Sequence, residues 1–311
     1  MVRPLSVKLV VEVLRGVAQV DFMPSAVCGL LFVVALFAAG WQYGVYGLLG
    51  SAVSTAAGYG LRLRRDTVEA GLTGCNGCLV ALGCAVFLDP GRPATVVVAV
   101  LGAVVAVVVT AGLGVLLEGR GLPALTAPFC LVATAVTVAA PGFRRLWPES
   151  GGPAALPVPA TGGTGLSWEH LWHGFFANIG QVFLMPQWYV GLLFLAGLFA
   201  AGRLAGLMAC VGSATALLTA RVFGAPAEAV EQGVLGYSSV LVALALCGVF
   251  VAPDGWSAAY AVLGAAAATV LTPALGAVTA PFGGHAFTWP FVLTTLLFLA
   301  AVPAIPRLRR I

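Results

Sequence analysis

Charge is scarce in this chain. Only 8% of its 311 residues are Asp, Glu, Lys or Arg, against about a quarter in ordinary soluble domains, and its mean hydropathy is +1.04. That composition excludes a soluble globular domain. Titratable groups are too few and too scattered for an Asp/Glu/His relay through the apolar stretches, the usual mark of an ion-coupled pump. All seven cysteines fall within apolar stretches or at their edges, which suits reduced, packed thiols rather than a disulfide framework. Cys75 and Cys78 form a CxxC, but no second cysteine pair stands nearby, so no metal or redox cofactor is expected. Glu169, His170 and His173 form an E-H-x-x-H string, read as polar residues of a membrane-surface helix, with Trp168 and Trp172 at the interface. The net charge of +4 implies no nucleic-acid partner. The first 20 residues carry Arg3, Lys8, Glu12 and Arg15 in an amphipathic pattern, unlike a cleavable signal peptide; residues 1–18 are expected along the cytoplasmic interface.

What the chain has is long apolar runs, broken by 40 glycines and 19 prolines. Stretches near 25–41, 45–61, 68–88, 95–117, 122–140, 187–203, 204–222, 229–251, 256–278 and 286–304 each approach the roughly 20 residues of a bilayer-crossing helix. These are ten expected spans, five in each half. A Pro/Gly-rich stretch over 141–166 separates the halves, so residues 1–145 read as a first repeat, 146–166 as a linker and 167–311 as a second repeat.

The halves repeat one another at a constant offset of 162 residues. Residues 19–32 (QVDFMPSAVCGLLF) match 181–194 (QVFLMPQWYVGLLF), 68–82 match 230–244, and 126–129 (TAPF) match 288–291 (TWPF). An odd number of crossings per repeat makes the second copy enter from the opposite side. The expected fold is therefore all-α integral membrane, with ten transmembrane helices in two inverted repeats of five and a central pore between the repeats. With the N-terminus inside, Arg3, Lys8, Arg15, Arg62, Arg64, Arg65, Arg120, Arg203, Arg307, Arg309 and Arg310 share that side, whereas Arg92, Arg144, Arg145 and Arg221 lie opposite. The bias puts both termini in the cytoplasm.

The repeated blocks hold polar residues where they are expensive. Pro24 and Pro186 remove a backbone donor and disfavour helix at Met23 and Met185, so each block breaks a short half-membrane helix from the span that follows. The freed carbonyls are tolerable only against protein or a hydrated path. Gln19 and Gln181, four residues earlier, either bind a neighbouring helix or line that path; their pairing beside two paired breaks points to the path. Thr126 and Thr288, each followed by x-Pro-Phe, present hydroxyls where a proline interrupts a span. Leu79 and Leu241 are the apolar positions expected against a pore. Glu69 and Glu231 are read as structural carboxylates at helix N-termini, and Asp21, whose repeat partner is Phe183, as a cap or anchor of the first short helix.

Together these blocks resemble the bacterial and animal urea transporters over roughly residues 10–304. The resemblance implies a homotrimer with one pore per protomer in the cell inner membrane, in contact with lipid. It implies oxygen ladders at Gln19 and Gln181 and a slot lined by Phe22, Leu79 and Leu241, with Val20 and Val182 beside them and Thr126 and Thr288 near the middle. The position paired with Phe22 is Leu184, with Phe183 one residue earlier, so either residue is a candidate for the second slot. The implied function is passive, channel-like urea transport through this selectivity filter, without enzymatic activity or cofactor. Alternatives are a channel for ammonia, water or another small neutral amide, an ion-coupled transporter, and a membrane enzyme.

Overall fold

A computed structural model describes residues 5–143, 145–146 and 162–311. Arg3, Arg144 and most of the Pro/Gly-rich linker lie outside the described residues. The described chain is all-helical, with one isolated β-bridge between Val251 and Arg310. Its contacts divide it into two compact units. One comprises Met1–Leu117 and Ala124–Gly152; the other comprises Glu118–Pro123 and Pro153–Ile311.

The first unit contains α1 (Leu5–Ala18), α2 (Ala26–Ala39), α3 (Trp41–Gly60), the five-residue α4 (Arg65–Glu69), α5 (Gly74–Phe87), α6 (Pro93–Glu118) and α7 (Ala127–Ala139). The second contains α8 (Trp168–Gly180), α9 (Trp188–Ala201), α10 (Arg203–Val222), α11 (Ala227–Glu231), α12 (Tyr237–Leu244), α13 (Gly255–Thr279) and α14 (Trp289–Ala301). Helices α9, α10, α11, α13 and α14 each begin 162 residues after α2, α3, α4, α6 and α7. The duplication in the sequence is thus a duplication of backbone. It fails at one place: α5 runs unbroken, whereas α12 passes into a π turn (Ala245–Val249) in which Cys247 and Gly248 leave helical geometry. That turn adjoins the C-terminal chain, where the Ala252 amide bonds the Arg309 carbonyl at 2.8 Å and the Ile311 amide bonds Phe250 at 3.1 Å.

In the first unit α5 packs on α3, α7 and α1, and α1 on α2 and α3. In the second α12 packs on α10, α13 and α14, and α8 on α9. The interiors are aromatic and aliphatic: Phe32, Leu36, Leu82 and Phe129 are fully buried in one, and Ile179, Phe194, Leu198 and Phe291 in the other. The C-terminal half of α1 is inside the first unit, with Val17 and Ala18 at 0% exposure, so this half of the helix does not lie along an interface as expected. Its apolar stripe is needed to cover α2, α3 and α5.

Pro93–Glu118, Arg203–Val222 and Gly255–Phe282 are long and apolar enough to cross a membrane. Ser6–Asp21 with Ala26–Ala39, bent by 78°, and Trp168–Phe183 with Trp188–Ala201, bent by 72°, qualify as broken spans. The other apolar helices are shorter, Gly74–Phe87 and Trp289–Ala304 among them. Among the described residues, length and composition alone therefore carry three to five crossings rather than ten.

Candidate functional site

Each unit breaks its first helix in the same way. After α1, a 3-10 turn (Gln19–Asp21) ends at Phe22 in the left-handed conformation (φ 65), and its amide returns to Gln19 at 3.0 Å while that of Met23 returns to Ala18 at 3.1 Å. After α8, Gln181–Phe183 ends at left-handed Leu184 (φ 62), and Met185 returns to Gly180 at 3.1 Å. This is a helix C-terminus closed on itself, with bulky residues in a position glycine usually occupies. The Val20 carbonyl is left without a helical donor, because the Met23 amide is used and Pro24 has none. Val182 stands likewise before Met185 and Pro186.

The two glutamines are held identically. Gln19 Nε2 donates to the Ala70 carbonyl at 2.9 Å, and Gln181 Nε2 to the Gln232 carbonyl at 2.9 Å. A carbonyl can only accept, so the amide nitrogen must face it, and the side-chain oxygen remains as the acceptor on offer. The receiving carbonyls sit just past α4 and α11, which makes those five-residue helices orienting elements.

The remaining expected residues sit on α5, α7, α12 and α14. Leu79 and Leu241 are fully buried in the mid-portions of α5 and α12. Thr126 and Thr288 occupy the positions that open α7 and α14, at 4% and 2% exposure, each preceded by a left-handed residue, Leu125 (φ 52) or Phe287 (φ 42). In the first unit Asn76 holds that corner: its Nδ2 donates to the Leu125 carbonyl at 3.2 Å and its Oδ1 accepts from the Phe129 amide at 3.2 Å. In the second unit the Tyr237 hydroxyl donates to the Phe287 carbonyl at 2.6 Å, doing the same work from the preceding position. The 3-10 turns that begin at Gln19 and Gln181 pack on α5 and α12, the helices that carry Leu79 and Leu241.

Phe183 lies flat against Phe194, ring centroids 4.5 Å apart at 10°, and is fully buried. Leu184 has the backbone of Phe22. Val20 and Val182 are both buried at 1% exposure. Asp21 does not cap the first short helix: it is 1% exposed, and its Oδ1 has no hydrogen-bond partner among the described residues.

A family model described as "Urea transporter" matches residues 10–303, nearly the whole chain. The chain belongs to the urea transporter family. It is 28% identical to urea transporter 1 of Ovis aries over 299 residues, covering 96% of this chain and 78% of that protein. It is 27% identical to urea transporter 1 of Rattus norvegicus over 315 residues, covering 99% and 81%.

This urea transporter family member anchors α4 and α11 differently in its two units. Lys8 Nζ bonds Glu69 Oε1 at 2.6 Å, and Arg15 donates to the Glu69 carbonyl at 2.9 Å. In the second unit His173 Nδ1 lies 2.9 Å from Glu231, and His170, at the position of Lys8, lies 3.8 Å away. Glu69 and Glu231 therefore close α4 and α11 rather than open a helix, against expectation, because the carboxylates reach for cations on α1 and imidazoles on α8. The same pairing turns His173 inward rather than toward water. The His170 ring also accepts the Ser167 amide at 3.1 Å, completing a capping box.

The orienting carbonyls of Ala70 and Gln232 were not legible as such, since a backbone acceptor has no residue type. The Asn76 and Tyr237 ties leave a fainter trace: polar residues at adjacent positions of the two copies, 75–76 and 237–238.

Proposed function

We propose that this protein carries urea passively across the membrane, down its gradient, through a narrow path between the two repeats. Urea is small, planar and uncharged, with four N–H donors and one carbonyl acceptor. A file of acceptor oxygens replaces its water shell without holding it tightly, the balance required for conduction. The observation that carries this reading is the matched anchoring of Gln19 and Gln181, each bond 2.9 Å long, which commits both amide nitrogens and offers both oxygens. The open carbonyls of Val20 and Val182 extend the two ladders.

In this reading Phe22 and Leu79 flatten the first slot, Leu184 and Leu241 flatten the second, and Thr126 and Thr288 supply hydroxyls near the middle. Phe183 backs the second slot from the core, which its stacking on Phe194 supports. Apolar walls exclude hydrated ions, whose desolvation costs far more than that of urea. The layout is ten crossings in two inverted repeats, supported by the recurring helix boundaries. Both termini are cytoplasmic, supported by the basic residues, and the protein resides in the inner membrane as a homotrimer with one path per protomer.

Stopped-flow urea uptake into proteoliposomes tests this, comparing wild type with Gln19→Ala and Thr126→Ala. Fast, proton-independent flux that falls in both variants supports the filter. Unchanged flux in both would move the filter elsewhere, and flux at lipid background in folded protein would remove the function.

A further inference from the structure

An apolar groove runs along the first unit between α6 and α7, lined by Leu101, Val105, Val109, Ala135 and Ala139, with a volume of about 640 Å³. Near Phe143 and Leu146 it meets a second hollow of about 750 Å³, which shares those two residues and Val98 and carries Arg92 and Arg145. Helix α6 has 26 residues, roughly 39 Å at 1.5 Å per residue, longer than the ~30 Å hydrocarbon core. Arg92 immediately precedes its first residue, so it reaches headgroup depth when α6 crosses the bilayer.

We propose that this groove binds an anionic phospholipid, with an acyl chain between α6 and α7 and the phosphodiester on Arg92 and Arg145. The charge fits. Arg92 Nε is bonded to Asp89 Oδ2 at 3.1 Å. The Gly91 amide and the Arg92 guanidinium hold the Asp89 carboxyl below the usual carboxylate range, so it stays ionised at neutral pH. Arg92 and Arg145 against the single Asp89 carboxylate leave one net positive charge, and the terminal nitrogens of Arg92 remain for a ligand. Basic hollows at the ends of membrane helices select anionic headgroups in this way.

The second unit supplies an internal control. A related groove lies there between α13 and α14, lined by Leu263, Ala267, Leu271 and Leu297, with Leu218 and Val222 of α10 as a third wall and a volume of about 760 Å³. The positions equivalent to Arg92 and Arg145 are not free and cationic there. Asp254 stands in place of Arg92 and caps α13 through the Ser257 amide at 2.7 Å. Arg307, in place of Arg145, lies over the Trp256 ring, 4.0 Å from its centroid. Headgroup selection therefore belongs to the first groove.

Native mass spectrometry of the full chain in detergent, with added phosphatidylglycerol or phosphatidylcholine of the same chains, tests the site. Wild type should retain phosphatidylglycerol roughly tenfold better, the order expected for two arginines near a headgroup. The Arg92→Gln/Arg145→Gln variant should lose that preference while keeping its melting temperature and urea flux; Arg307→Gln should keep the preference. Ala135→Phe, which fills the groove, should lower retention of both lipids. Equal retention by wild type, or a preference surviving the double variant, overturns the proposal. So does an Ala135→Phe variant that changes oligomeric state while lipid retention is unchanged, because the groove is then covered by a second copy.

Discussion

The Ser54 hydroxyl occupies the space that a β-carbon on Gly77 would fill, and it uses that space to donate to the Ala103 carbonyl at 3.0 Å. In the second unit the arrangement is reversed. Ala216 stands where Ser54 would be, and Ser239, at the position of Gly77, donates to the Ala265 carbonyl at 2.8 Å. One backbone acceptor is satisfied in both copies, from opposite helices of the pair. The core tolerates either solution but not both hydroxyl positions filled at once.

Gly77→Ala should therefore lower the melting temperature in detergent, since Ser54 and the nearby Gly50 carbonyl, 2.9 Å from the added carbon, must shift. Such overpacking costs roughly 1–3 kcal/mol. Combining Gly77→Ser with Ser54→Ala copies the second unit and should recover part of the loss. A double variant less stable than the sum of its singles would refute the exchange.

Replacing Gln19 by Met keeps its bulk and removes both amide functions. Urea flux should fall by roughly fivefold, the rate equivalent of about 1 kcal/mol for one net hydrogen bond. Gln181→Met should fall comparably, because its anchor has the same length. Stopped-flow uptake at constant protein content reads both.

Asn76→Ala removes two bonds from the corner that presents Thr126. Stripping the Leu125 carbonyl and the Phe129 amide of their partner should destabilise by about 1–3 kcal/mol and reduce flux as Thr126 is displaced. Adding Cys75→Tyr to Asn76→Ser imports the second unit's solution and should restore flux relative to Asn76→Ala. Flux below that of the alanine variant would show that the two ties are not equivalent.

Phe183 and Leu184 should separate by phenotype. Phe183→Ala opens a cavity beside Phe194 and should cost about 3–5 kcal/mol of stability, read as a lower melting temperature. Leu184→Ala should leave melting nearly unchanged and raise the passage of larger amides relative to urea. A selectivity change in the Phe183 variant, with none at Leu184, would return Phe183 to the slot.

The class of molecule was legible because scarcity of charge and long apolar runs have only one solvent that suits them. The breaks at Met23 and Met185 were legible too, since proline acts on its immediate neighbours through covalent geometry. Carboxylates were read less well. Glu69 and Glu231 were assigned from local position, yet Lys8, 61 residues away, and His173, 58 residues away, decide what they do. Asp21, expected to cap or anchor the first short helix, makes no cap bond.

The sequence by itself determined that the chain is helical, apolar and duplicated at a fixed offset, because periodicity and repetition are properties of the order of residues. Tertiary structure alone decided which of Phe183 and Leu184 turns into the core, which carbonyls orient Gln19 and Gln181, and how Ser54 and Ser239 serve equivalent acceptors. Those outcomes depend on atoms brought within hydrogen-bonding or van der Waals distance by packing. Backbone carbonyls and unfilled volume, which make the choice, carry no letter in the sequence.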